Sequence, residues 1–187
     1  MRKVDVSSAL FAVVSILYPL LAMIGVRLVG PQWVLIGLFI LIALRAAPAL
    51  RAKVPGGLTW GLIGVAAIVA LVSLHDKTLS VRLYPPLMSA AMLLTFAQTL
   101  ISPPSMIERF ARIVDPNLDE RGVRYARNVT WVWCAFFVAN CAIGIWTALA
   151  ASWNLWALYN GVIAYIGIAI LFFGEVLVRP YFKRAPR

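Results

Sequence analysis

Residues 128–178 most constrain what this chain can become. Two apolar arms, 128–150 and 154–178, are separated only by Ala151-Ser152-Trp153. About 20 apolar residues in a helix cross the hydrocarbon core of a bilayer, so each arm is long enough to span it. The stretch therefore reads as a transmembrane helical hairpin with almost no loop. In the first arm Thr130, Cys134, Cys141, Gly144 and Ala148 recur at helical spacings, and in the second Asn160, Ala164, Gly167 and Gly174 do so. A period near 3.5 keeps each set on one face. Small residues let helix backbones approach, and close packing is the main attraction between helices in lipid. The two stripes are expected to face each other or a common bundle interior.

The hairpin also fixes depth. With the turn near 151–152, residues at equal depth have numbers that sum to about 303 for regular helices. Glu175 then lies level with Asn128, next to Arg127 and one turn from Arg124. A carboxylate at a membrane-buried helix end is costly unless paired. Glu175 is therefore expected to contact Arg124, Arg127 or Arg179, the last at i+4 on its own helix.

Of the 187 residues, 63% are hydrophobic and 13% charged, and the mean hydropathy is +0.89. That excludes a soluble domain, which needs far more polar surface. The net charge of +10 would suggest nucleic acid in a soluble protein. Here the basic residues sit between apolar spans, where anionic lipid and topology account for them and no nucleic acid is implied. Cys134 and Cys141 stand one heptad apart on one helix, about 10 Å along its axis, too far to bridge. No metal-ligand spacing occurs.

The rest of the chain supplies four more apolar runs. The run 8–29 is too long for a signal-peptide core, contains Pro19 and has no clean cleavage site after it, so it reads as a membrane helix. Runs at 33–47, 58–74 and 79–101 follow, the last with Pro85-Pro86 in its first turns. His75-Asp76-Lys77 is a polar turn with the only histidine, which reads as solvated. Between 102 and 127 lies the one substantial polar segment. Ser105-Met106-Ile107-Glu108 fits a capping box. Met106, Ile107, Phe110, Ile113 and Val114 then form an apolar face opposite Glu108, Arg109 and Arg112. This predicts a short amphipathic helix at about 104–114, lying in the membrane interface with Phe110 buried. Gly122 marks a further turn.

The fold class expected is all-α: a polytopic membrane protein of about six transmembrane helices plus one interfacial helix, forming a single domain over 1–187. Six spans put both termini on one side. If that side is the cytoplasm, 14 of the 17 basic residues lie inside, and only Arg27, Lys77 and Arg82 lie elsewhere. The positive-inside rule thus gives cytoplasmic termini. Trp33, Trp146, Trp153 and Trp156 then fall at the outer boundary, and Trp60, Trp131 and Trp133 at the inner one. Leu17-Tyr18-Pro19-Leu20 resembles Leu83-Tyr84-Pro85-Pro86-Leu87. The match does not continue into the helices that follow, and chance explains it better than an inverted repeat.

No nucleophile–base pair, metal cluster or phosphate-binding glycine loop is present, so neither an enzyme nor a cofactor is implied. Arg109, Arg112, Arg124, Arg127 and Arg179 converge on the cytoplasmic edge, with Glu175 and Asn128 as a structural polar pair. One reading is a pocket for a lipid or acyl-carrier phosphate, helped by the free amides at the start of the 104–114 helix. The other is that these arginines set topology and neutralise Glu108 and Glu175, as in most membrane proteins of this kind. Asn128, Asn140 and Asn160 line a polar pocket or join helices, each such bond contributing about 0.6 kcal/mol.

One resemblance adds context. It is carried by Tyr84-Pro85, Pro104-x-x-Ile107-Glu108-Arg109-x-Ala111-Arg112 and Gly122-Val123-Arg124-Tyr125-x-Arg127-x-Val129-Thr130. It continues through Val132-Trp133-Cys134-x-Phe136-Phe137-x-x-Asn140, Trp156-Ala157-Leu158-Tyr159-Asn160-Gly161 and Glu175. Together these resemble an uncharacterised family of small bacterial inner-membrane proteins encoded within aryl polyene and related fatty-acid-like biosynthesis clusters. The resemblance covers about the last hundred residues; the first eighty follow mainly by hydropathy. It implies a setting and not a reaction: a non-catalytic accessory or scaffold protein handling lipid or acyl intermediates, with acyl-carrier or acyltransferase enzymes as partners. The tryptophan–phenylalanine–asparagine order is more weakly similar to intracellular septation proteins, which would imply an envelope scaffold. A small transporter or membrane enzyme ranks below both, since no broken helix or charged midplane is evident.

The basic asymmetry generates a topology prediction. In a background lacking Cys134 and Cys141, cysteines at Lys77 and Ser152 will react with an impermeant reagent in intact cells. Cysteines at Arg51, Asp119 and Lys183 will not, and labelling at position 119 would overturn the assignment.

Overall fold

The computed structural model describes the backbone of residues 6–50 and 57–184 and the side chains of 17–46 and 58–178. The fold is all-α, 89% helix, with no strand among the described residues. These form seven helices: α1 Val6–Leu28, α2 Pro31–Leu50, α3 Gly57–Ser73, α4 Lys77–Ile101, α5 Met106–Val114, α6 Glu120–Ala150 and α7. The last runs from Trp153–Leu158 through a π turn at Tyr159–Ile163 into Ala164–Arg184. Among the described residues, three stretches are long and apolar enough to cross a membrane: α4, α6 and Trp153–Val178 of α7. The described apolar parts of the other three, Leu17–Leu28, Pro31–Ala46 and Leu58–Ser73, are shorter. Residues 51–56, which include Arg51 and Lys53, and the side chains of Arg179, Lys183 and Arg184 lie outside the described residues.

Local chemistry explains the helix ends. Gly30 takes a positive φ of 90° after α1, and Pro31, with φ already helical and no N–H to lose, opens α2. Asp76, which as part of a polar turn drew no attention, is the N-cap of α4. Its carboxylate accepts from the Thr78 and Leu79 amides at 2.8 and 2.9 Å. Asp119 does the same for α6, accepting from the Gly122 amide at 2.8 Å. Gly122 is therefore inside a helix and not at a turn. The helix expected from residue 128 begins at Glu120 because Asp119 satisfies one of its orphan amides.

The core forms around α4. Pro85 and Pro86 have no N–H, so the carbonyls of Val81 and Arg82, four residues earlier, lose their helical donors. Both are satisfied from other helices. The Tyr18 hydroxyl of α1 donates to the Val81 carbonyl at 3.1 Å, and the Trp156 indole N–H of α7 donates to the Arg82 carbonyl at 3.0 Å. Tyr18 and Trp156 are both buried. The two similar Tyr-Pro segments meet here, since the Tyr18 and Tyr84 rings pack edge to face at 4.7 Å. Around them Leu38, Ile42, Val65, Val69, Val81, Ala148 and Ala157 complete an apolar cluster.

Glycines bring the neighbours in. A Cβ on Gly61 of α3 would stand 2.9 Å from the Ala91 Cβ, and one on Gly144 of α6 would stand 2.9 Å from the Pro86 Cβ. The small stripe of α6 thus faces the bundle interior, where Gly144 meets Pro86 of α4 and, 3.5 Å from the same Cβ position, Asn160 of α7. On α7 Asn160 and Ala164 are buried, and Gly167 receives Phe136. Gly174 has nothing within 4 Å of its Cβ position. The hairpin is closed at its turn and open at its other end.

Polar bonds lock the closed end. The Arg82 guanidinium donates to the carbonyls of Thr147 and Ala151 at the C-terminus of α6, where free carbonyls and the helix dipole favour a cation. It also lies 5.3 Å from the Trp153 ring centre. Arg27 reaches Asn154 at 3.3 Å. The π turn lets the adjacent residues Tyr159 and Asn160 both address α6. Tyr159 donates to Asn140 at 2.9 Å, Asn140 to Ser89 at 2.8 Å, and Asn160 to Thr147 at 3.2 Å. Asn140 and Asn160 therefore join helices.

Removing either donor to the proline-stripped carbonyls leaves a buried acceptor bare, at about 1–3 kcal/mol each. Tyr18→Phe and Trp156→Phe should each lower the thermal unfolding midpoint of the detergent-purified protein. A Trp156→Phe midpoint equal to wild type would show that the Arg82 carbonyl needs no donor.

Candidate functional site

The site begins with α5 and the way its first turn is satisfied. The Ser105 amide donates to the Glu108 carboxylate at 3.3 Å, the Met106 amide to Thr99 Oγ1 at 2.8 Å, and the Ile107 amide to Thr130 Oγ1 at 3.3 Å. Thr99 ends α4 and Thr130 belongs to α6, so α5 is bolted into the corner between them. Glu108 is buried, 6% exposed. Its Oε1 accepts from Arg112 Nε at 2.9 Å and pairs with Nη2 at 2.8 Å. Charge-assisted bonds of this kind offset the desolvation of a buried carboxylate.

The expected amphipathic helix forms as α5, with most of its apolar side chains turned away from the rest of the protein. Its protein-facing side carries Glu108 and Ala111, while Phe110, Ile113 and Val114 are exposed, at 57%, 77% and 77%. Polar atoms turn inward because the Met106 and Ile107 amides take their acceptors from α4 and α6, while the Ser105 amide is satisfied by Glu108 of α5 itself. The apolar residues are left facing outward, where Phe110 is not buried by the protein. The amides proposed to hold an anion are already occupied.

Beside α5 lies a groove of about 1270 Å³. Its walls are the inner side of α5, the 115–119 loop, α6 from Arg121 to Trp133 and α7 from Ile170 to Val178. The twelve helical rises from Arg121 to Trp133 give it a length of about 18 Å, comparable to the half-thickness, about 15 Å, of a hydrocarbon core. Aromatic packing closes the deep end. Trp133 stands 5.7 Å from Phe137 and 6.0 Å from Phe136, and Phe136 seals against Gly167. Val129, Val132, Ile170 and Leu171 make the middle apolar. Arg121, Arg124, Asn128, Glu175, Asp115 and Asp119 line the other end.

The antiparallel register does bring Glu175 and Asn128 to the walls of one groove. The ion pair does not form with the described arginines, because the helices diverge beyond Gly167. Among the described residues neither Arg124 nor Arg127 lies within 4.0 Å of the Glu175 carboxylate, and Arg124 pairs only loosely, with Glu120 at 3.9 Å. Arg179 lies outside the described side chains. Arg124 lines the groove. Arg127 is exposed and is not among its lining residues. Arg109 donates to the Pro104 carbonyl at 2.9 Å, and Arg112 to Glu108 and to the Pro116 carbonyl at 3.3 Å, so both serve α5 itself. Reading the sequence missed Arg121, Tyr125 and Trp133 as lining residues. It counted Thr130 only as a small residue, although the Ser105–Glu108 box already signalled a helix start in need of acceptors.

Comparison with family models, curated proteins and solved structures finds no match.

Thr130→Val keeps the volume but removes the acceptor for the Ile107 amide. Hydrogen exchange at 105–109 should speed up several-fold, since a lost buried bond is worth about 1–3 kcal/mol. Unchanged protection there would show that α5 is held by other means.

Proposed function

We propose that this chain is a non-catalytic inner-membrane protein of six spans with cytoplasmic termini, which holds the chain of a lipid or acyl amphiphile in the α5–α6–α7 groove at the cytoplasmic leaflet. The observation that carries the reading is the groove's profile: about 18 Å long, apolar and aromatic-ended inside, charged at the mouth. A dry cavity of this size between membrane helices would forfeit packing on every wall, so an acyl chain is its natural filling. Helices α1 and α2, of 23 and 20 residues, and α3 of 17 lie within the range that can span when packed beside longer partners. The charged mouth sits at the end of the hairpin that the positive-inside rule assigns to the cytoplasm. There it would present the head of a bound amphiphile to acyl-carrier or acyltransferase enzymes. The resemblance to proteins of aryl polyene clusters supports the same setting, because those pathways build membrane-bound acyl products.

Gly174 supplies a clean test, since a side chain there would enter open space. Gly174→Phe should leave the thermal midpoint unchanged and cut cross-linking of a photoreactive fatty acid to Trp133 and Leu171 at least five-fold. Equal labelling of the groove in both proteins, or labelling confined to the outward residues Phe172 and Phe173, would refute the reading. A deletion strain with normal lipids and pigments but defective septation would favour an envelope scaffold instead.

A further inference from the structure

We infer that the groove selects a phospholipid whose head carries a primary ammonium beside its phosphate, the phosphoethanolamine class, with the ammonium at Glu175 and the phosphate at Arg124. This rests on the reading of the groove as an acyl-chain site. It departs from the expectation of an anion pocket, because the lining carries three carboxylates, Asp115, Asp119 and Glu175, and two guanidinium groups, Arg121 and Arg124. A purely anionic head would meet more like charge than opposite charge.

The charges are also placed on opposite walls. Asp119 is used in capping α6 through the Gly122 amide at 2.8 Å, and Asp115 and Arg121 each have a partner within the protein. That leaves Glu175 on α7 and Arg124 on α6. Glu175 is half-buried and has no ion-pair or hydrogen-bond partner among the described residues. Among the described residues Arg124 pairs only with Glu120, two exposed side chains at 3.9 Å, so the guanidinium is available. Arg124 stands about 6 Å along α6 from Asn128, and Asn128 lines the same groove as Glu175. A carboxylate at this depth needs a cation, and the protein leaves the gap between the walls open where a direct pair would have closed it. A zwitterionic head satisfies both walls at once. A primary ammonium brings three N–H donors to the carboxylate, whereas a quaternary ammonium brings none.

The test is lipid retention by the full-length purified protein after delipidation and exposure to equimolar phosphatidylethanolamine, phosphatidylglycerol and phosphatidylcholine of identical chains, read by native mass spectrometry. Wild type should retain phosphatidylethanolamine about ten-fold over either competitor, the factor a charge-assisted hydrogen bond carries. Glu175→Gln should abolish that preference while still binding lipid, and Arg124→Ala should weaken retention of all three. No preference in wild type, or a preference surviving Glu175→Gln, would overturn the inference. Gly174→Phe separates the two levels. If it blocks retention but heads are not distinguished, only the headgroup assignment fails. If it blocks nothing, the groove reading itself fails.

Discussion

Two backbone carbonyls, those of Val81 and Arg82, organise this molecule. Consecutive prolines deprive both of their helical donors in the first turns of an apolar helix, where a bare buried carbonyl is expensive. Each is answered from a distant part of the chain, Val81 by Tyr18 and Arg82 by Trp156. Hydrophobic burial cannot by itself orient one helix against another in lipid, because tails are as apolar as leucine. These two directional bonds can, and they fix α1 and the start of α7 on α4. With Trp156 in place, the Arg82 side chain is positioned to cap α6, so four helices converge at the hairpin's turn.

The same arrangement explains why the opposite end is open. The directional bonds joining α6 to α7 lie between Asn140 and Asn160, and the last close approach is Phe136 on Gly167. Below that level α6 continues along α4 and α5, while α7 runs free with exposed Ile170 and Leu177. The π turn is where α7 adds a residue and sets its own direction. A fold clamped at one end and splayed at the other makes a wedge, and α5 closes one side of it. The polar contacts of α5 point into the protein and its phenylalanine and isoleucine point out, so the helix serves as a wall of the groove while presenting an apolar surface to its surroundings.

Much of the architecture was legible in the sequence because it follows from local rules. Apolar run length gave the positions of all the long helices, to within a few residues at most ends. The Ser105–Glu108 spacing gave α5, and the three-residue turn gave the antiparallel register that brings Glu175 and Asn128 to one groove. The rest was not legible for two reasons. Gly122 read as a turn because the capping role of Asp119 was overlooked. For the small stripe of α6, expected to face the other arm or a common interior, periodicity identified the face but not that α4 covers much of it.

What the sequence determined by itself, then, is which segments are helical, that the two long arms run back antiparallel and which end of the hairpin is basic. These depend on spacing along one chain and on the cost of polar groups in an apolar solvent. Only the tertiary structure decided that α6 packs on α4, that the amides of α5 are filled by Thr99 and Thr130, and that Glu175 faces an open groove and not Arg124 or Arg127. Those outcomes depend on which donors reach which acceptors after the helices pack. That competition was set by Pro85, Pro86, Tyr18 and Trp156, residues up to 138 positions apart in the chain.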